Sequence, residues 1–305
     1  MDVASLILIV FGLALFETVT SIDNAIINAE VLSTMQPKAR RWFLVWGMLF
    51  AVFAIRGLLP WLIVWFSTPG IGPWQALTAA FTSDPQILSA VEHSAPLLLM
   101  AGAVFLVFLF LHWLFLEPKT FGLAGEKFFL SKGVWFYALV SVLLCFIVWL
   151  CLRINPSLAF SAVIGSTAFF IIHGFKENAA RQEKELVKTG LSDFSKIIYL
   201  EIIDSTFSID GVLGAFAFTL SVPLIFLGNS LGAIIVRKMT ISNIERIKKY
   251  TLLKNGAMYS ILILGVIMLL DAFGIEIPPW VSPLSTFVVV GYFFYKSRAL
   301  ARLVP

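Results

Sequence analysis

Charged side chains are scarce in this chain: Asp, Glu, Lys and Arg make up 13% of 305 residues, about half the share of a soluble domain. That scarcity excludes an ordinary water-soluble globule. Cysteine occurs twice, at Cys145 and Cys151; six residues apart within one apolar stretch, they project in different directions and make a poor disulfide or metal pair. Histidine occurs three times. His112 and His173 fall near span ends and His93 in a loop, where interface packing or pH sensing is expected ahead of metal ligation. No basic region or small-residue cleavage site accompanies the first apolar run, so it does not read as a removable signal peptide.

What the chain has in quantity is hydrocarbon, with 59% hydrophobic residues and a mean hydropathy of +0.94. The apolar runs are continuous and do not alternate, which excludes a barrel and leaves membrane-spanning helices. Nine spans are predicted, at 4–32, 42–66, 95–116, 134–152, 158–173, 196–220, 223–236, 256–272 and 280–295. The seventh is the shortest; Pro223 and Arg237-Lys238 mark its ends. The predicted class is all-α, a polytopic membrane protein.

Basic residues test that count, because cytoplasmic loops carry them in excess. With the N-terminus outside, the cytoplasmic segments hold 20 of the 22 Lys and Arg, all but Arg56 and Arg153. The net charge of +4 is then a matter of orientation, and no nucleic-acid partner is expected. The C-terminus falls inside.

The acids are the other departure from apolar monotony. Glu17-Thr-Val-Thr-Ser-Ile-Asp23-Asn24 returns 187 residues later as Asp204-Ser-Thr-Phe-Ser-Ile-Asp210-Gly211. The copies sit on spans one and six, which cross the bilayer in opposite directions. That is the pattern of an inverted repeat with a site near the midplane. It divides the chain into a first half at 1–116, connecting helices and a cytoplasmic loop at 117–195, a second half at 196–272, and a final helix and tail at 273–305. At about 100° per residue, Glu17, Ser21, Asn24 and Asn28 share one flank of the first helix, with Thr20 beside them and Asp23 farther round. On span six, Glu201, Ser205 and Ser208 cluster near Asp204, while Asp210 falls opposite Glu201. Either that helix is polar over half its circumference or it unwinds near Gly211 and Gly214.

Intramembrane acids are costly and default to function. Carboxylates, amides and hydroxyls form a hard-ligand set suited to manganese, calcium or magnesium. The expected metal residues are Glu17, Asp23, Asn24, Glu201, Asp204 and Asp210, with Thr20, Asn28, Arg56, Ser208 and Asn229 as accessories. Arg56 reads either as a built-in cation or as half of a structural salt bridge. Asn229 reads as a ligand or as a packing residue in Gly228-Asn-Ser-Leu-Gly232. A membrane aspartic protease also uses paired acids, but its Gly-x-Gly-Asp arrangement is missing, and no enzyme is expected.

Phe16-Glu17…Ser21-Ile22-Asp23-Asn24-Ala25, paired with Glu201-x-x-Asp204-x5-Asp210, resembles the TerC/Alx superfamily of bacterial integral membrane proteins. The resemblance implies a transporter of the inner membrane that exports manganese, with no prosthetic group; buried acids that take up protons when the ion is absent make proton antiport the natural coupling. It implies metal roles for the six residues named and partners limited to the bilayer, a divalent ion, further copies of the chain or metal-receiving membrane enzymes. Calcium or a small organic cation, or an accessory role in metalation or metalloid stress, are the alternatives. Asp210-Gly211, where many members have Asp-Ser, and a long loop between spans two and three set the chain apart.

Overall fold

The computed structural model describes residues 2–79, 82, 84–119, 122–186, 192–242 and 249–301, with the backbone alone at 23, 27, 48, 51, 124, 179–186, 207 and 240–242. Among them the chain is helical, with no strand. The helices are α1 (Val3–Thr20), α2 (Ile22–Ser33), α3 (Pro37–Ser67), α4 (Pro73–Thr78), α5 (Pro85–Leu116) and α6 (Ala124–Leu130). They continue as α7 (Phe136–Leu152), α8 (Pro156–Leu186), α9 (Asp193–Ala215), α10 (Val222–Ser242), α11 (Leu253–Ala272) and α12 (Val281–Ala301).

Seven of the described segments are long and apolar enough to cross a membrane: α1, α3, α5, α10 and α11, together with Gly133–Leu152 and Pro156–Asn178. The sixth and ninth expected spans, α9 and α12, are helices of 23 and 21 residues. Their acids and bases dilute the hydropathy of a helix that remains long enough to span. The short seventh candidate is a helix of 21 residues, α10.

The sequence reading placed span boundaries by hydropathy, and capping chemistry moves them. α5 begins at Pro85, ten residues before the apolar window, because the Asp84 carboxylate accepts the Gln86 N–H at 2.9 Å and Pro85 is suited to the first turn. α1 starts where Asp2 caps the Ser5 amide at 3.3 Å; the Ser5 hydroxyl, and then its amide, hold the Asp2 carboxyl below its usual range. Phe81, Lys188, Arg246, Lys248 and Arg302 lie outside the described residues.

α5 is the hub. Phe105, Phe108, Leu106 and Trp113 on it are nearly inaccessible and pack with Phe136, Phe169 and Met268 from α7, α8 and α11. Outward faces of α7 and α8 instead expose Val142, Phe146, Phe160 and Ile171, as expected where the solvent is hydrocarbon. α1 crosses α10 closely: a Cβ at Gly232 would lie 2.6 Å from the Glu17 Cβ and 2.7 Å from the Ala14 carbonyl oxygen. Gly228 and Gly232 therefore form the small-residue face that lets the two backbones meet.

Candidate functional site

Two local irregularities position the polar side chains. The first is a one-residue interruption between α1 and α2 at Ser21, with φ −92° and ψ 0°. Helical bonds continue around it, from the Ser21 N–H to the Glu17 carbonyl and from the Ala25 N–H to the Ser21 carbonyl. The Ser21 hydroxyl donates to Glu17 Oε1 at 3.0 Å, a local side-chain bond of the kind that competes with regular helix. The second is in α3, where Phe43–Gly47 and Ala51–Leu58 form wider π-type turns. Pro60 follows, and a proline has no N–H for the carbonyl four residues back and crowds it. That carbonyl belongs to Arg56, which sits within the widened stretch, a backbone form that recurs at functional sites.

Arg56 is buried and its guanidinium holds Glu17: Nη2 and Nε donate to Oε1 at 2.6 and 2.9 Å. Both side chains are nearly inaccessible. Across from them, the Asn24 amide donates to an oxygen of Asp204, so a residue of the first motif bonds directly to one of the second, 180 residues away. A small cavity of about 30 Å³ lies between, lined by Ser21, Asn24, Asn28, Arg56, Asp204 and Arg237, with Leu32 and Phe43 among its apolar walls. It has room for an ion or one or two waters. Glu17 lies behind this lining, through its bonds to Arg56 and Ser21.

Several buried atoms around the cavity have no partner among the described residues: Asn24 Oδ1, Asn28 Oδ1, Glu17 Oε2 and Arg56 Nη1, with Arg237 Nε and both oxygens of Glu201 beside them. Unpartnered buried polar atoms are rare in folded proteins, and a cluster of them suits buried water or an ion. Arg56 interacts electrostatically with Glu17, Asp204 and Glu201, and Arg237 with Asp204 and Glu201.

The remaining expected residues are distributed as follows. Asp210 does not line the cavity; it is ion-paired with Lys176 of α8. Glu201 is half-buried and reaches toward Gly47 of α3. Thr20 and Ser208 donate to carbonyls of their own helices, Phe16 at 2.9 Å and Asp204 at 2.8 Å, which leaves their oxygen lone pairs available. Asn229 is wholly buried on α10 with both amide atoms unpartnered, away from the cavity lining. The Asp23 backbone lies in α2, and its side chain lies outside the described residues. α9 is continuous through Gly211 and Gly214 to Ala215, so the expected alternative of an unwound sixth span is corrected: the interruption falls in the first motif. A tight contact explains Gly211, where a Cβ would come 2.5 Å from Glu17 Oε2.

Two further cations lie inside the bundle. Arg237 was assigned to the end of a span, yet its guanidinium reaches back over the Phe43 ring at 4.3 Å and donates to the Phe43 carbonyl at 2.8 Å. Lys176 was assigned to a loop, yet it is buried on α8. Arg56 is therefore not alone in the bundle, as the sequence had suggested. The available signal is length: both cations carry side chains long enough to reach back several ångströms from the end of an expected span.

Over residues 22–303 the chain matches the model of a family described as a protein of unknown function, DUF475, and it belongs to that family. The match takes in Asp23 and Asn24 of the first motif and the whole of the second. Comparison with curated proteins and with solved structures gives no match.

Proposed function

We propose that this member of the DUF475 family is a carrier of the bacterial inner membrane that exports a hard divalent cation, manganese foremost, and that it is built as an inverted repeat of nine spans. The single observation that carries the reading is the cavity between the motifs, where Asn24 and Asn28 present unpartnered amide oxygens beside the Asp204 carboxylate. Amide and carboxylate oxygens in one small cavity are ligands for a hard ion.

The packing supports the repeat. If α1, α3 and α5 correspond to α9, α10 and α11, each contact between halves has its mirror: α1 with α10 matches α9 with α3, α1 with α11 matches α9 with α5, and α5 packs on α11, its own counterpart. Each half also brings one acid and one arginine, Glu17 with Arg56 and Asp204 with Arg237. The bias of basic residues favours an outside N-terminus.

Charge suggests the working cycle. Arg56 is a permanent cation on Glu17 that the ion must push aside, and its return neutralises the acid once the ion has left. An arginine stays protonated, so the proton of an antiport cycle would travel on a carboxylate. The resemblance to the TerC/Alx superfamily supplies manganese and the outward direction. A second reading is favoured by the buried, unpartnered Arg56 Nη1 and Arg237 Nε: two guanidinium groups on one cavity also suit a small oxyanion.

Proteoliposomes separate the two. Manganese flux that falls to background in Asp204→Asn and Asn24→Ala supports the cation carrier. Flux of a small oxyanion such as sulfate, lost in Arg237→Gln while manganese fails to move, supports the second reading and refutes the first.

A further inference from the structure

A second cluster of ligating side chains lies apart from the oxygen cavity, between α5 and α8. His173 and Glu177 stand one turn apart on α8, with His173 Nε2 3.4 Å from Glu177 Oε1. His112, buried on α5, meets His173 across the helix interface with ring centroids 3.8 Å apart and planes at 53°. One nitrogen from each histidine and one Glu177 oxygen lie within 4.8 Å of one another.

Aromatic packing explains part of this arrangement. His173 stacks on Phe169 at 5.6 Å and 6°, and His112 meets Phe136 edge-on at 5.4 Å. It does not explain the two imidazoles, which approach closer than the roughly 4.5–7 Å of aromatic pairs and are neither parallel nor perpendicular. Three ligand atoms bound to one tetrahedral ion at about 2.0–2.1 Å would be separated by about 3.3 Å, within reach of small side-chain rotations from the separations observed.

We propose that His112, His173 and Glu177 bind a borderline divalent ion of the zinc class, tying α5 to α8. Two imidazoles and one carboxylate are a three-ligand set for zinc, distinct in hardness from the amide and carboxylate oxygens of the cavity. Glu177 is 59% exposed and His173 22%, so the fourth position opens to water and the ion exchanges. Lys176 lies near and is held by Asp210, and Lys254 is held by Glu117 at 2.6 Å. Both lower the affinity of a neighbouring cation site without filling it. Lys176 follows His173 by three residues, which places the ion about one turn from the contact that holds the second motif.

The test uses the full chain purified in detergent, with Co²⁺ as probe and Zn²⁺ as competitor. The expected result is visible absorption from one Co²⁺ per chain that Zn²⁺ displaces, lost in His173→Asn and in His112→Gln and retained in Asp204→Asn. Retention in Asp204→Asn separates this site from the cavity, so either can fail alone. Absence of zinc-displaceable absorption, or its persistence in either histidine variant, overturns the proposal. His112 is buried, and its variant can lose the fold; pulsed electron paramagnetic resonance of Cu²⁺ on the wild type then decides, with two imidazole nitrogens expected and one or none refuting the bridge.

Discussion

In the first motif, Glu17 is gripped by Arg56 from the neighbouring span and the helix is interrupted four residues on at Ser21. In the second, the aligned Asp204 takes an amide from Asn24, Asp210 is tied to Lys176, and α9 runs unbroken to Ala215. The same residue types at the same spacing therefore acquire different partners. The interruption belongs to the half whose acid is paired most tightly. An acid buried with a single oxygen bonded to one guanidinium must be held in place, and the Ser21 hydroxyl supplies a third bond to the same oxygen, from a second partner. The second half spreads its acids along a regular helix and neutralises them from two directions. The asymmetry suits the proposed carrier, with one half closed on its own cation.

The largest expected effect breaks the first half. Arg56→Ala removes the guanidinium from a nearly inaccessible carboxylate, and breaking a buried pair costs about 3–5 kcal/mol. Thermal unfolding in detergent should show it, and the double variant Glu17→Gln with Arg56→Met should recover most of the loss, since no charge is then stranded. A double variant as unstable as Arg56→Ala would show that the pair is not what the first half depends on.

Gly232→Ala comes next. The added methyl meets backbone and Cβ atoms that cannot swing away, and forcing extra carbon into packed structure costs about 1–3 kcal/mol. The same unfolding measurement checks it. Gly211→Ala, which meets only the end of the Glu17 side chain, should cost less in stability and more in ion binding.

In the second half, Lys176→Met should destabilise by less than Arg56→Ala. Asp210 keeps 15% of its side-chain surface exposed against 1% for Glu17, so water can take over part of the lysine's role. Equal losses in the two variants would erase the contrast between the halves. The smallest change is Ser21→Ala, about 1 kcal/mol for one hydrogen bond. Its sharper readout is manganese affinity, expected to weaken because Ser21 both lines the cavity and fixes Glu17.

Much of this was legible in the chain. Continuous apolar runs marked the helices, and the repeated acids marked the two that meet. Asp210 was expected beside the other acids, and the structure instead turns it toward Lys176 of α8, outside the cavity lining. What could not be read was the identity of each partner. Arg237 and Lys176 look like loop charges until the fold brings Phe43 and Asp210 to them. Ser21 looks like any helical serine, because its bond to Glu17 matters only when Arg56 has fixed that carboxylate. The starts of α5 and α9 lie ahead of the apolar windows for a simpler reason: the Asp84 and Ser192 caps set them, and hydropathy averages do not register caps.

The two motifs are proposed to make one hard-ion site. The most direct measurement is the thermal stability of the purified protein in millimolar Mn²⁺, Mg²⁺, Ca²⁺ and Zn²⁺, for the wild type, Asn24→Ala and Asp204→Asn. An ion that binds only the folded protein must raise its melting temperature. The account predicts a manganese shift in the wild type that disappears when either motif is altered. No shift with manganese, or a shift that survives in both variants, would contradict it.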